Sequence, residues 1–351
     1  MTKDRISVLI VDDSRVSRDL IAHIISSDPD LKIAGFAKDG DQALEWLTTN
    51  TADVITMDVV MPGANGFEIA RRIMESKPIP IVIVSAAYNP SDDKHGFEAM
   101  EAGALAILEK PGSFEEASFH AKAQEIIDTI KTVAEVKLIR RRIPRAKVTT
   151  PIVEKLVTEG IEAVAIGASL GGPIAISTVL SGLPASFPIP IFIVQHIAAG
   201  FTAGFATWLQ DYTPLKVIIP GHGEKAQPGC CYIAPSDCHM EVRAGNIIYL
   251  VPGPADPLQP SVSRLFKSMA KVYGPKCVGI ILTGMGRDGA DELLVMKNRG
   301  AITIAQDEES CVMYGMPKEA AALGAAKQVL PLDQIAKTLT GIVMPARPAG
   351  V

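Results

Sequence analysis

The chain has 351 residues, of which 48 % are hydrophobic and 21 % charged, and a net charge of −5. At roughly 100–200 residues per domain this predicts two globular domains, each able to bury a core. The negative balance gives no electrostatic reason to bind nucleic acid, and no apolar stretch approaches the ~18 residues that would span a bilayer, so neither nucleic-acid binding nor membrane insertion is expected.

The first residues, MTKDRISVLIVDDS, hold a short apolar run stopped at once by Asp12 and Asp13. That is the pattern of neither a signal peptide nor an anchor, so a cytoplasmic protein is expected. All five cysteines lie in the second half and are expected to be reduced. Cys230, Cys231, Cys238 and His239 raise the question of zinc. Adjacent strand residues point to opposite faces, however, so packed cysteines are the expectation.

Apolar runs at Ser7–Val11, Leu31–Phe36, Val54–Met57, Ile79–Val84 and Leu105–Leu108 alternate with helical spacing. The helices are predicted over Ser14–Ser27, Asp41–Thr49, Gly66–Glu75 and Asp93–Glu101, with a last one from about Phe114 toward Ile139. Such alternation predicts a parallel sheet with functional groups at the carboxyl ends of its strands. A basic, proline-broken stretch over 136–159 reads as a linker between a domain at 1–135 and another at 160–347. The second half restarts the alternation with strands at Ala163–Ile166, Pro190–Val194, Cys277–Leu282 and Ala301–Ala305. Inserted hairpins are predicted over Lys216–Leu250, and helices over Val262–Val272 and Ala290–Asn298. The fold class expected is α/β, a doubly wound and mostly parallel second domain following the first.

In the first domain the chemistry falls at strand ends. Asp12 and Asp13 follow the first strand, Asp58 the third, Ser85 the fourth and Lys110 the fifth. Three converging carboxylates repel one another unless a divalent cation offsets them, and hard oxygen ligands favour Mg²⁺. A carboxylate beside a metal and a lysine can act as nucleophile toward phosphorus. Asp58 is therefore expected to be the phosphoacceptor, with Asp12, Asp13 and Asp58 holding Mg²⁺ and Ser85 and Lys110 contacting the phosphoryl group.

The strings VLIVDDS, ITMDVVMPGANG, IVSAA and LEKP resemble the signatures of response-regulator receiver domains over about residues 5–130. The resemblance implies a flavodoxin-like fold and phosphorylation by a chemotaxis-type histidine kinase. Ile107 stands where the family often carries an aromatic switch residue.

In the second domain Gly167-Ala168-Ser169-Leu170-Gly171 is a G-x-S-x-G pattern between a strand and a helix. It suits an exposed nucleophile, and equally a phosphate-binding or structural glycine turn. His196 ends the next strand and is the candidate base. Asp288, after the strand Cys277–Leu282, is a candidate to orient that imidazole, to cap the helix Ala290–Asn298, or to do both. The order Ser, His, Asp differs from that of the familiar serine hydrolase scaffolds.

That order, with AIGASLGGP, VQHIAAGFT, CYIAPSDCHM, PSVSRLF, ILTGMGRDGA and YGMPKEAA, is similar to the catalytic domain of chemotaxis methylesterases of the CheB type. The resemblance implies hydrolysis of glutamate γ-methyl esters on chemoreceptor helices to glutamate and methanol, and deamidation of receptor glutamines. It assigns Ser169 as nucleophile, His196 as base, Asp288 as orienting acid and the Met285 backbone as an oxyanion donor, with no cofactor in this domain. Leu170, Ala198 and Gln259 replace the family's usual Thr, Pro and Arg. The expected control is by access: the unphosphorylated receiver obstructs the Ser169 cleft and phosphorylation of Asp58 opens it. The competing class is a phospho-regulated binding paralogue with little or no turnover. A nucleotide-binding second domain lacks the Lys-Ser/Thr that such a loop needs.

Overall fold

The computed structural model describes residues 5–59, 61, 66–85, 97–112, 118–136, 160–198, 200–253 and 258–344. Parts of the helices expected at 93–101 and 114–139, residues 137–159 of the linker expected at 136–159, Ala199, and residues 60 and 62–65 of the ITMDVVMPGANG string lie outside them. The described residues fall into two compact units.

In the first unit, β1 (Ile6–Val11), α1 (Arg15–Ser26), β2 (Leu31–Ala37), α2 (Gly40–Thr49), β3 (Val54–Met57), α3 (Gly66–Ser76) and β4 (Ile81–Ser85) follow one another. Residues 97–101 are helical and form the described part of α4. Then come β5 (Ala106–Glu109) and α5 (Phe119–Ala134). The last helix ends at Ala134, and residues 137–139 of the expected stretch lie outside the described residues. The sheet order is β2-β1-β3-β4-β5, parallel throughout, which is the flavodoxin-like order. Strands β3 and β4 are short apolar runs buried on both faces, as a parallel sheet covered by helices requires, whereas the edge strand β2 exposes Lys32 and Phe36.

Register decides what meets at the carboxyl edge. Val11 pairs with Met57, so Asp12 and Asp58 leave neighbouring strands side by side. Asp58 N–H donates to the Val11 carbonyl at 2.9 Å. Ser85 pairs with Glu109, and the Lys110 N–H donates to the Ser85 carbonyl at 2.9 Å, which fixes the fourth and fifth strand ends together.

From residue 160 onward the chain forms β6 (Ala163–Ala168), α6 (Gly172–Ser181), β7 (Ile191–Gln195), α7 (Thr202–Gln210), β8 (Lys216–Ile218) and β9 (Cys230–Ile233). It continues with β10 (His239–Arg243), β11 (Ile247–Val251), α8 (Val262–Val272), β12 (Cys277–Ile281), α9 (Ala290–Asn298), β13 (Ile302–Gln306), α10 (Met316–Ala322), β14 (Gln328–Leu330) and α11 (Leu332–Val343). The main sheet runs β14-β13-β12-β6-β7-β9-β8 with every pairing parallel.

The expectation of hairpins over Lys216–Leu250 is corrected in part. Only β10 and β11 form an antiparallel hairpin. Strands β8 and β9 instead extend the parallel sheet at its edge. Short apolar runs between glycines do not say which partner completes their hydrogen bonds; Cys230–Ile233 is buried on both faces and so suits a parallel sheet.

One close approach matters for the site. A Cβ on Gly167 would lie 2.2 Å from Val262, and one on Gly289, whose φ is +84°, would lie 2.4 Å from it. Glycine at both places lets the first turn of α8 press onto the end of β6.

Among the described residues no helix is long and apolar enough to cross a membrane.

Candidate active site and acidic pocket

In the first unit Asp12 and Asp58 are buried, Ser85 is buried and Asp13 is exposed. Ser85 Oγ donates to Asp58 Oδ1 at 3.0 Å. Lys110 Nζ lies 2.7 Å from Asp12 Oδ2 and also pairs with Asp58 Oδ2. Burial raises the Asp12 carboxyl above its ordinary value, against the pull of Lys110. Burial alone would lower the Lys110 ammonium, but the Asp58 and Asp12 carboxylates outweigh it and the net shift is upward. Asp12, Asp13 and Asp58 each offer an oxygen, all within 4.8 Å of one another, and no other such group of His, Cys, Asp and Glu occurs among the described residues. An all-carboxylate set crowded this closely fits a hard divalent cation such as Mg²⁺. Cys230, Cys231 and Cys238 are buried free thiols, as expected, and burial pushes the Cys238 thiol up to about 11.

In the second unit Ser169 directly follows β6 and His196 directly follows β7. These strands pair Ala168 with Gln195, so the two residues leave adjacent strands at the same level. The His196 N–H donates to the Ala168 carbonyl at 3.0 Å. The turn around Ser169 is held from the neighbouring β12 loop. Ser169 N–H donates to the Thr283 carbonyl at 3.0 Å, and Thr283 Oγ1 donates to the Leu170 carbonyl at 2.9 Å. Gly171, at φ +74°, opens α6. A Cβ on Gly284 would lie 2.7 Å from Ser169 Cβ, so the backbone leading to Met285 runs directly against the serine. Met285 is half exposed at 49 %.

His196 Nε2 lies 2.9 Å from Asp288 Oδ2. That carboxylate has three further donors among the described residues. It accepts from Ser261 Oγ at 3.0 Å, Val262 N–H at 2.6 Å and Ser263 N–H at 3.0 Å. Burial works against the charged form, but His196 and Ser263 outweigh it and hold the Asp288 carboxyl well below the usual carboxylate range. Asp288 therefore pairs with the imidazole and also caps a helix, but the helix is α8, reached across the fold. The expected cap of α9 is corrected: Gly289 occupies that position, with no side-chain hydrogen bond.

The Ser169 hydroxyl makes no hydrogen bond to His196 among the described residues; catalytic hydrogen bonds commonly tighten only when substrate is present. The register brings the two together, and the hydrogen bond brings Asp288 to His196. Met285 reaches the same place through Gly284. Sequence reasoning missed Gln195, Thr283 and Ser261, and weighed His239 only as a metal ligand. Gln195 Nε2 donates to the Ser169 and His196 carbonyls, and Ser261 N–H donates to His239 Nδ1 at 3.2 Å. Ser261 before an amphipathic helix was visible as an N-cap residue; the other contacts are made across the fold and leave no local signal.

The CheB methylesterase family model matches residues 164–339, and the response regulator receiver domain model matches residues 8–122. The chain is 47 % identical, over 95 % of its length and 97 % of the relative's, to protein-glutamate methylesterase/protein-glutamine glutaminase 1 of Syntrophus aciditrophicus. It is 44 % identical, over 96 % and 97 %, to the protein-glutamate methylesterase/protein-glutamine glutaminase of Nitrosospira multiformis. The crystal structure of the Thermotoga maritima CheB methylesterase catalytic domain superposes with a TM-score of 0.51 and 37 % identity, covering 53 % of this chain and all of that one. With the receiver strands, the Ser169 turn and the His196–Asp288 pair in these positions, the chain belongs to the CheB methylesterase family, with a response regulator receiver domain ahead of the methylesterase domain.

Proposed function

We propose that this chain is a phosphorylation-activated protein-glutamate methylesterase, in which Ser169, His196 and Asp288 hydrolyse glutamate γ-methyl esters on methylated chemoreceptor helices. The observation that carries the reading is the 2.9 Å contact between His196 and a buried carboxylate fixed by three further donors, one strand away from Ser169. A buried, ionised carboxylate orients the imidazole and stabilises its cation.

Ser169 Oγ attacks the ester carbonyl as His196 takes the hydroxyl proton. Because Nε2 faces Asp288, the nitrogen left for this transfer is Nδ1. The Met285 N–H, with the N–H of Leu170 after the nucleophile, stabilises the tetrahedral oxyanion. His196 returns the proton to the departing methoxide, giving methanol. Water then attacks the acyl-enzyme with His196 again as base, giving glutamate and free Ser169. A glutamine side chain enters the same sequence with ammonia as the leaving group, consistent with the double activity in the relatives' names.

Control lies in the receiver at 1–135, joined by a linker at 136–159 to the catalytic domain at 160–347. A histidine kinase supplies the phosphoryl group to Asp58. Asp12, Asp13 and Asp58 would hold Mg²⁺, which offsets charge on the incoming phosphoryl group. Lys110 pairs with the new oxygens, and Ser85 donates to them. The phosphoryl group activates because it favours the active arrangement over the restrained one.

The test is methanol release from a helical peptide bearing glutamate γ-methyl ester, using the full-length protein and a phosphodonor. Ser169→Ala should lose release; full activity in that variant would end the reading.

A further inference from the structure

The hydrogen-bonded ladder between β6 and β7 stops just below the site. Its last rung is the His196 N–H donating to the Ala168 carbonyl. Beyond it the chain leaves the sheet on both sides, and the carbonyls of Ser169 and His196 have no strand partner. Gln195 supplies one. This last residue of β7 is 3 % exposed, and its Nε2 donates to the Ser169 carbonyl and to the His196 carbonyl, each at 2.8 Å. One amide therefore bridges the two residues as an additional rung.

The local packing is built around that amide. A Cβ on Gly172 would stand 2.0 Å from Gln195 Oε1 and 2.9 Å from Ala168 Cβ, so only glycine leaves room for it. Oε1 is itself buried, with no hydrogen-bond partner among the described residues. Leaving a buried acceptor unpaired is costly, and an apolar side chain of the same shape would avoid the cost. Packing alone does not account for an amide here, whereas its two donors do. The Ser169 carbonyl also accepts the Gly172 N–H at 2.8 Å, so the amide joins the serine turn as well as the two residues.

We propose that Gln195 is a positioning residue that sets the separation of the Ser169 hydroxyl and the His196 imidazole by tying together the backbone that carries them. This rests on the triad reading above. Gln195 touches no reacting atom; it acts through the two residues that do.

The experiment uses full-length protein activated by a small-molecule phosphodonor, with methanol release from the methyl-ester peptide measured per folded molecule. Gln195→Met keeps the volume and removes both donors. Its kcat should fall about 10²-fold with KM within about 2-fold, the size of loss that misplacing a reacting group produces. Gln195→Glu adds a readout that mere packing does not move. Its buried carboxylate faces two carbonyl oxygens, so protonation restores one donor. Its kcat relative to the native protein should rise as pH is lowered from about 8 to about 6.

A Gln195→Met protein with native kcat per folded molecule would overturn the proposal, as would a Gln195→Glu ratio independent of pH. Should Gln195→Met not fold, the pH ratio of the Glu variant decides alone. Ser169→Ala run in parallel separates the two claims: methanol release surviving there removes the triad reading, whereas its loss together with native kcat in Gln195→Met removes only the positioning role.

Discussion

His196 presents Nε2, not Nδ1, to Asp288, at 2.9 Å. This reverses the ring relative to the chymotrypsin arrangement, in which Nδ1 faces the aspartate. The reversal follows from where each group begins. His196 leaves the end of β7, whereas Asp288 lies in the loop after β12, on the far side of β6, with its carboxylate seated on the first turn of α8.

Asp288→Asn tests both duties of that carboxylate. It should lower kcat by about 10³–10⁴-fold, as loss of an orienting aspartate does elsewhere. It should also destabilise the chain by about 1–2 kcal/mol, because the α8 N-terminus loses a charged cap. The sign with pH follows from the depressed carboxyl. Its stabilisation is fully present above the unfolded carboxyl value of about 3.9 and is lost as pH falls through the lower folded value. The melting-temperature gap between native and variant protein should therefore stay level above about pH 5 and close below about pH 4.

Lys110→Met should destabilise the receiver by about 3 kcal/mol, since it leaves the buried Asp12 and Asp58 carboxylates facing each other. Chemical denaturation of the full chain in chelator measures it. Mg²⁺ should restore more stability to the variant than to the native protein, because the cation takes over the neutralisation. In the native chain the Lys110 contribution, from a raised ammonium, should be lost only as pH rises beyond about 10.4.

Gly172→Ala places a methyl group against Gln195 Oε1. Overpacking of this kind should cost about 1–3 kcal/mol. Displacement of the amide should lower kcat in step with Gln195→Met. Thermal unfolding and methanol release on the same sample check both.

A phosphodonor should accelerate methanol release by the native protein and leave Asp58→Asn at its basal rate. A rate ratio with and without phosphodonor measures this, and equal acceleration of both would remove the switch from Asp58.

The strand-end residues were legible in the sequence because a parallel sheet delivers its functional groups at one edge. Asp12, Asp58, Ser85 and Ser169 follow apolar runs directly, and Lys110 and His196 follow one residue later. That the first sheet is parallel was also legible from alternation, whereas its flavodoxin-like order was implied by the resemblance to receiver domains. What was not legible depends on partners chosen across the fold. Asp288 reads locally as the cap of the helix it precedes, yet its oxygens are claimed by Ser261, Val262 and Ser263, more than twenty residues upstream. Gln195 reads as one more residue of a strand, because nothing local says that its amide turns back beneath two loops. The β8–β9 pair reads as a hairpin, because short runs between glycines do not specify parallel pairing.

The most direct measurement is covalent. A fluorophosphonate ester, which phosphonylates activated serines, followed by peptide mass spectrometry locates the nucleophile. The adduct should fall on Ser169 in the native protein and be lost in His196→Gln. An adduct elsewhere, or labelling of Ser169 at an unchanged rate without the imidazole, would contradict the account.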